Sequence, residues 1–243
     1  MNKKWGIFNH YLYYSEKGYT DIRGETDQMR LMAEEWNEQV DSFDVEKLAA
    51  TLHEIGCGYY MITVMQGTRF LIAPNDAYTR ITGIAPGEGC CRRDLIRDVG
   101  EALRKYDIDL YLYYTGDGPH FDKTAGPAMG LYEDYEAGIH GKVSERFVKN
   151  WASVLEEYAV RYGDLVKGWW VDGCYDHLGY NNGLLSIYDK AIKKGNPEAL
   201  AAFNSGKISV MLMTSRSVTN LTRRAVLSYY VYGRPYQVDL ILS

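Results

Sequence analysis

The segment Gly168-Trp169-Trp170-Val171-Asp172-Gly173 ends an apolar run on a carboxylate. An aspartate at the C-terminal tip of a buried parallel strand projects from the sheet edge where loops build sites. The glycine after it permits a sharp turn and the close approach of a ligand. A carboxylate so placed suits attack on an anomeric carbon, or stabilisation of an oxocarbenium-like transition state. The plainer alternative is a loop aspartate that caps backbone amides. His10 lies among aromatic residues in Trp5 to Tyr14 (WGIFNHYLYY). It reads either as a contact to a polar substrate or as a core histidine bonded to backbone. Cys174 stands beside Asp172, but no histidine-containing dyad accompanies it, and a structural thiol is the simpler reading.

The surroundings of these residues are aromatic. The chain has 22 Tyr and 5 Trp among 243 residues. Such rings stack on the apolar faces of pyranoses while their OH and NH groups bond hydroxyls, although composition alone fits a merely Tyr-rich protein equally well. Tyr114 and Trp170, at or near strand ends, are the candidates for this role, with a carbohydrate as the expected substrate. The net charge of -5, with no basic stripe, gives no reason to expect nucleic acid. The four cysteines, Cys57, Cys90, Cys91 and Cys174, form no C-x-x-C pair, so neither a structural zinc site nor a disulfide scaffold is expected. No metal and no cofactor is called for. No long apolar run follows the lysines near the N-terminus, so neither a signal peptide nor a membrane span is read. The chain as given is expected in the cytoplasm, or in the periplasm or medium if a leader precedes it.

The elements that must position these residues alternate along the chain. Apolar strands are read in Trp5–Tyr14 (opening into a loop), Gly58–Met65, Asp109–Thr115, Val166–Asp172 and Leu200–Asn204. Glu16–Val40 reads as partly helical. Asp44 caps a helix carrying Leu48, Leu52 and Ile55 at helical spacing, with Gly56 as its stop. Further helices are read over Arg92–Tyr106, Glu145–Tyr162 and Leu184–Lys194, the last stopping at Gly195. Long loops are read over 66–91 and 116–142. Strand–helix alternation argues for a parallel sheet with helical crossovers, in a doubly wound sheet or a TIM barrel. No glycine-rich phosphate fingerprint follows the first strand, and the long loops follow strands. The expected fold is therefore α/β, a (β/α)8 TIM-barrel-like domain over residues 1–206, incomplete because only five strands are counted where closure needs eight. Residues 207–243 change character. Lys207, Arg216, Arg223, Arg224 and Arg234 face a single acidic residue, Asp239, in a chain that is acidic as a whole. This tail reads as a last strand or two with a basic surface, or as a non-native reading frame, which resequencing would decide.

Six segments occur in an order that resembles the glycoside hydrolase family 29 α-L-fucosidases. They are Gly6-Ile7-Phe8-Asn9-His10, Phe43-Asp44 with its helix, Tyr59-Tyr60-Met61-Ile62-Thr63, Arg93-Asp94-Leu95, Tyr111-Leu112-Tyr113-Tyr114 and Trp170-Val171-Asp172-Gly173. The resemblance covers about residues 5 to 206. It implies that Asp172 is the nucleophile of a retaining mechanism and that His10 contacts the sugar. Where the family carries Lys-His-His-Asp-Gly-Phe after the second strand, this chain has Val64-Met65-Gln66-Gly67-Thr68-Arg69-Phe70, leaving Gln66 and Arg69 as the candidate hydroxyl-binding residues. The first motif continues as Tyr11-Leu12 rather than Trp-Gly. A retaining hydrolase needs a second carboxyl about 5 Å from the first. Asp117, His120, Glu133, Asp134, Glu136 and Asp176 lie in suitable loops, each with a plain reading as a loop charge, and none is assigned. Two functions follow: hydrolysis of an α-L-fucoside or related deoxy sugar, or a catalytically inactive carbohydrate-binding barrel. A third is a structural or interaction protein built on the same scaffold.

Overall fold

The computed structural model describes residues 3, 5–13, 26–131, 141–206, 211–213, 223–231 and 234–242, with side chains described for 3, 5–13, 29–131 and 141–206. Strand β1 (Gly6–Asn9) leads to helix α1 (Thr26–Asp41) and then α2 (Val45–Glu54). These precede β2 (Tyr59–Thr63), α3 (Asp76–Thr82), α4 (Leu95–Arg104) and β3 (Asp109–Thr115). Next come α5 (Ala125–Met129), α6 (Glu145–Tyr162), β4 (Val166–Asp172), α7 (Asn182–Gly195) and β5 (Leu200–Phe203). Strands β6 (Met211–Met213), β7 (Arg223–Val231) and β8 (Arg234–Leu242) follow. The sheet order is β1-β2-β3-β4-β5-β6. The first five strands run parallel, and β6 joins β5 antiparallel. A β7–β8 hairpin forms a separate two-stranded antiparallel sheet.

Side-chain chemistry sets the helix starts. Asp44, Asn75, Asp94, Ser144 and Asn181 each place a side-chain oxygen on a free backbone N–H of the first turn. The Asp44 helix begins and ends as its sequence implied, and β3, β4 and α6 have the expected bounds. Two expectations are corrected. The segment 66–91 is not all loop: Pro74-Asn75 opens α3, and Gly83, at φ 71°, closes it. The segment 116–142 likewise contains the short helix α5. The acidic candidates Glu133, Asp134 and Glu136 lie outside the described residues. In the tail, the backbone forms strands β6, β7 and β8.

Period-two alternation gives the sheet two distinct faces. Ile62, Leu112, Tyr114, Trp169, Val171 and Phe203 belong to the large core under the helices. Met61, Tyr113, Trp170 and Ala202, with Phe8 and Tyr111 against them, make a small separate cluster on the other face. The strand register aligns this second face in rows. Thr63 pairs with Tyr113, Tyr113 with Trp170 and Trp170 with Ala202; one layer further on, Thr115 pairs with Asp172.

Candidate active site

The C-terminal ends of the five parallel strands lie side by side, and the candidate residues stand there. His10 follows β1, Gln66 follows β2, Asp117 and His120 follow β3, Asp172 ends β4 and Asn204 follows β5. Both carboxylate oxygens of Asp172 are engaged. Tyr113 Oη donates to Oδ2 at 2.8 Å, and Asn204 Nδ2 donates to Oδ1 at 2.7 Å. Tyr113 stands one layer deeper on the same face, so its ring reaches up the sheet to the carboxylate. Its phenol is pushed far above the ordinary tyrosine value, first by burial and then by the Asp172 charge, and it therefore remains a proton donor. Asn204 Oδ1 accepts from Gly206 N at 2.9 Å, which turns its amide nitrogen toward Asp172. Its own backbone N–H bonds the Val171 carbonyl at 3.0 Å.

His10 sits on the same face. Its Nδ1 lies 3.1 Å from Thr63 Oγ1, and Thr63 donates its hydroxyl proton to the Asn9 carbonyl at 3.3 Å. Burial lowers the His10 pKa, and the nearby Asp172 charge opposes the shift. His10 also packs on Phe8 and Tyr113, with ring centroids 4.4 and 5.0 Å away. The structure thus places His10 and Asp172 at one end of the sheet and on one face.

Trp170 forms part of the floor beneath them, beside Tyr113 and Ala202 on the neighbouring strands and in one apolar cluster with Met61. Tyr114 does not join them. Its side chain lies on the helix side, stacked on Trp151 at 4.7 Å, with its hydroxyl donating to the Trp151 carbonyl at 2.9 Å. Tyr113 occupies the position expected of Tyr114. Both faces of a parallel strand are buried, so apolar patterning does not distinguish the two tyrosines. Arg69 is also committed elsewhere. Its guanidinium forms a buried bidentate pair with Asp122, Nε–Oδ2 2.5 Å and Nη2–Oδ1 3.0 Å. Asp122 in turn accepts from Thr124 N and Ala125 N, so the pair organises the loop after β3. Gln66 lies next to Gly67, whose carbonyl accepts from Phe121 N at 2.8 Å, joining the loops after β2 and β3.

Cys174 is fully buried, and burial raises its thiol pKa, which makes it a poor nucleophile. Asp176 is exposed beyond it. Among the described residues no three His, Cys, Asp or Glu side chains converge as metal ligands would, and no helix is long and apolar enough to cross a membrane. Asn204 had no motif to mark it. Its signal was positional: it lies at a strand end followed by Ser-Gly, as Asp172 is followed by Gly173.

No protein-family model matches the chain, and no curated protein does. Solved structures match it in fold. An α-L-fucosidase of glycoside hydrolase family 29 from Bacteroides thetaiotaomicron, trapped as a covalent intermediate with 2-fluoro-fucosyl fluoride, aligns with a TM-score of 0.54 and 20% identity over 82% of this chain and 46% of its own. The endo-fucoidan hydrolase MfFcnA9 of family 107 aligns at 0.55 and 18% identity, over 69% of this chain and 36% of its own. The family 107 endo-fucoidan hydrolase P5AFcnA aligns at 0.52 and 15%, over 90% of this chain and 60% of its own. The chain therefore has the fold of these glycoside hydrolases and spans between 36% and 60% of their length.

Proposed function

We propose that this chain is a glycoside hydrolase acting on fucose-containing substrates, an α-L-fucoside or related deoxy sugar, by a retaining double displacement. On this reading residues 5–206 are a sector of a (β/α)8 barrel, with the helices outside and the Trp170 face inside. The observation that carries the reading is the Asp172 carboxylate at the tip of β4, held by Tyr113 and Asn204. An aspartate that merely capped backbone would receive N–H groups; this one receives two side chains from the flanking strands. The neighbours of like fold support the substrate class, since they are an α-L-fucosidase and endo-fucoidan hydrolases.

Asp172 attacks the anomeric carbon as the glycosidic oxygen departs, giving a glycosyl ester that water then hydrolyses. Tyr113 and Asn204 fix the carboxylate plane and stabilise its charge when it leaves again. His10 offers a ring nitrogen to a sugar hydroxyl, and Trp170 helps to form the apolar floor.

A panel of aryl glycosides tests the activity. Asp172→Asn should abolish turnover with the fold intact, because the amide is near-isosteric but neither nucleophilic nor charged; each ~1.4 kcal/mol of lost stabilisation is about tenfold in rate. Azide should restore turnover to Asp172→Ala as an inverted glycosyl azide. Wild-type turnover in Asp172→Asn sinks the nucleophile assignment. Sugar binding by calorimetry with no turnover on any substrate supports the carbohydrate-binding barrel instead.

A further inference from the structure

Two devices hold the C-terminal end of the sheet. After β3 the backbone is clamped from the helix side. Gly116 N–H donates to the Asp172 carbonyl, Trp151 Nε1 donates to the Thr115 carbonyl at 2.6 Å, and Tyr180 and Tyr188 both donate to the Gly116 carbonyl. After β1 a side chain of the neighbouring strand does the holding. Asn9 pairs with Ile62, so His10 and Thr63 come next on the two strands. Thr63 is fully buried, and its hydroxyl reaches both the Asn9 carbonyl, at 3.3 Å, and His10 Nδ1, at 3.1 Å. The Asn9 carbonyl also accepts from Tyr11 N–H at 3.1 Å, closing a three-residue turn centred on His10. Asn9 Nδ2 donates to Tyr60 Oη at 3.0 Å, which ties the same turn to β2 a second time.

The contacts of the His10 ring are of two kinds. Phe8 and Tyr113 pack on it and fix where the ring lies. They do not fix which way round it lies. The torsion that turns an imidazole is broad and roughly two-fold, and half a turn about it exchanges Nδ1 with one ring carbon and Nε2 with the other. Both packing contacts survive that turn, because they meet ring surface. The Thr63 hydroxyl tells the two orientations apart, since it bonds a nitrogen and not a carbon. Among the described residues Nε2 has no hydrogen-bond partner. We propose that Thr63 is a positioning residue: by holding Nδ1 it decides which edge of the ring carries the remaining nitrogen, and so which sugar hydroxyl His10 meets. The proposal rests on the hydrolase reading above, in which His10 contacts the sugar. It makes Thr63 a determinant of specificity, because a site built to bond one hydroxyl discriminates against a sugar that lacks it.

Thr63→Val tests this on the full chain. It keeps the β-branched shape and removes only the hydroxyl, and the Asn9 carbonyl retains its Tyr11 donor. On an aryl fucoside kcat/KM should fall roughly 2- to 10-fold, the share of one ordinary hydrogen bond, and Thr63→Ser should restore it. A set of monodeoxy fucosides identifies the hydroxyl, as the one whose removal makes His10→Ala and wild type equal; on that sugar Thr63→Val should equal wild type too. In a His10→Ala background Thr63→Val should cost nothing further, because the two side chains act as one unit. The ring nitrogens of His10, one of five histidines, are read directly by 15N spectroscopy and assigned by their loss in His10→Ala. Thr63→Val should move the Nδ1 resonance, and Thr63→Ser should keep it in place. Additive losses in the double variant, equal losses on every deoxy sugar, or a ring spectrum that Thr63→Val leaves unchanged overturn the proposal. If Thr63→Val fails to fold, Thr63→Ala takes its place with the same pattern expected. A chain that turns over no fucoside overturns the hydrolase reading and the role in specificity with it, while the ring spectrum still decides whether Thr63 holds His10.

Discussion

Tyr113→Phe isolates one hydrogen bond on the proposed nucleophile. The ring is buried and Phe keeps its shape, so the change reduces to one donor lost from Asp172 Oδ2. A hydrogen bond to a charged group contributes about 1.5–3 kcal/mol. Its kinetic effect falls on the second chemical step. There Asp172 departs from the anomeric carbon and regains its charge, and the Tyr113 bond strengthens as it does so. Losing the bond should slow that step by roughly 10- to 160-fold. An activated substrate such as a dinitrophenyl fucoside makes the second step limiting, so kcat should fall by that factor and KM should fall with it. Mass spectrometry should find the glycosylated Asp172 peptide accumulating. Tyr114→Phe is the matched control. The adjacent hydroxyl donates to the Trp151 carbonyl on the opposite face, so its removal should cost about 1 kcal/mol of stability and leave kcat unchanged. Wild-type kinetics in Tyr113→Phe, or an equal kinetic loss in Tyr114→Phe, would refute the reasoning.

Arg69→Ala should destabilise the protein by about 3–5 kcal/mol in denaturant titration, because it strands the Asp122 carboxylate, whose side chain is 0% exposed; a substrate-binding Arg69 would instead raise KM with stability unchanged. Asp117 makes stability pH-dependent in a defined direction. Its folded pKa is raised above 3.8, so the native state holds the proton longer than the unfolded chain, and stability from this group is lost as pH rises from about that value through the folded pKa. The stability of Asp117→Asn relative to wild type should therefore increase as pH rises from about 3.8, and a difference that stays flat or falls would show that burial does not govern this carboxyl.

Much of the scaffold was legible because its signals are local. Apolar runs of strand length, side-chain caps such as Asp44, and stops such as Gly56 each declare themselves within a few residues. The place of Asp172 at the tip of β4 was legible for the same reason, as a carboxylate between a buried strand and a glycine. The misplaced residues depend on distant partners. Which tyrosine of Tyr111-Leu112-Tyr113-Tyr114 faces the site is set by the pairing of Tyr113 with Trp170 on a strand 57 positions later, not by any pattern within β3. Arg69, read as a candidate hydroxyl-binding residue, is instead paired with Asp122, 53 residues on. Helix α3 was readable from Pro74-Asn75 and was missed because its seven residues are flanked by glycine-rich sequence.

The clamp on Gly116 has a consequence for how this protein tolerates change. The peptide that seats Asp117 is gripped from behind by Trp151 on α6, Tyr188 on α7 and Tyr180 just before α7. Those anchors all belong to the outer shell. The same segment continues into His120, against the Asp117 carboxyl, into Phe121, tied to the Gly67 carbonyl, and into Asp122, paired with Arg69, so the segments after β2 and β3 move with the seat as one unit. A single methyl group at Gly116 would disturb that unit at its root: its Cβ would fall 2.6 Å from Cys174 Sγ and 2.8 Å from the Asp172 carbonyl oxygen. For anyone altering this protein, the Gly116 seat is the fixture to preserve.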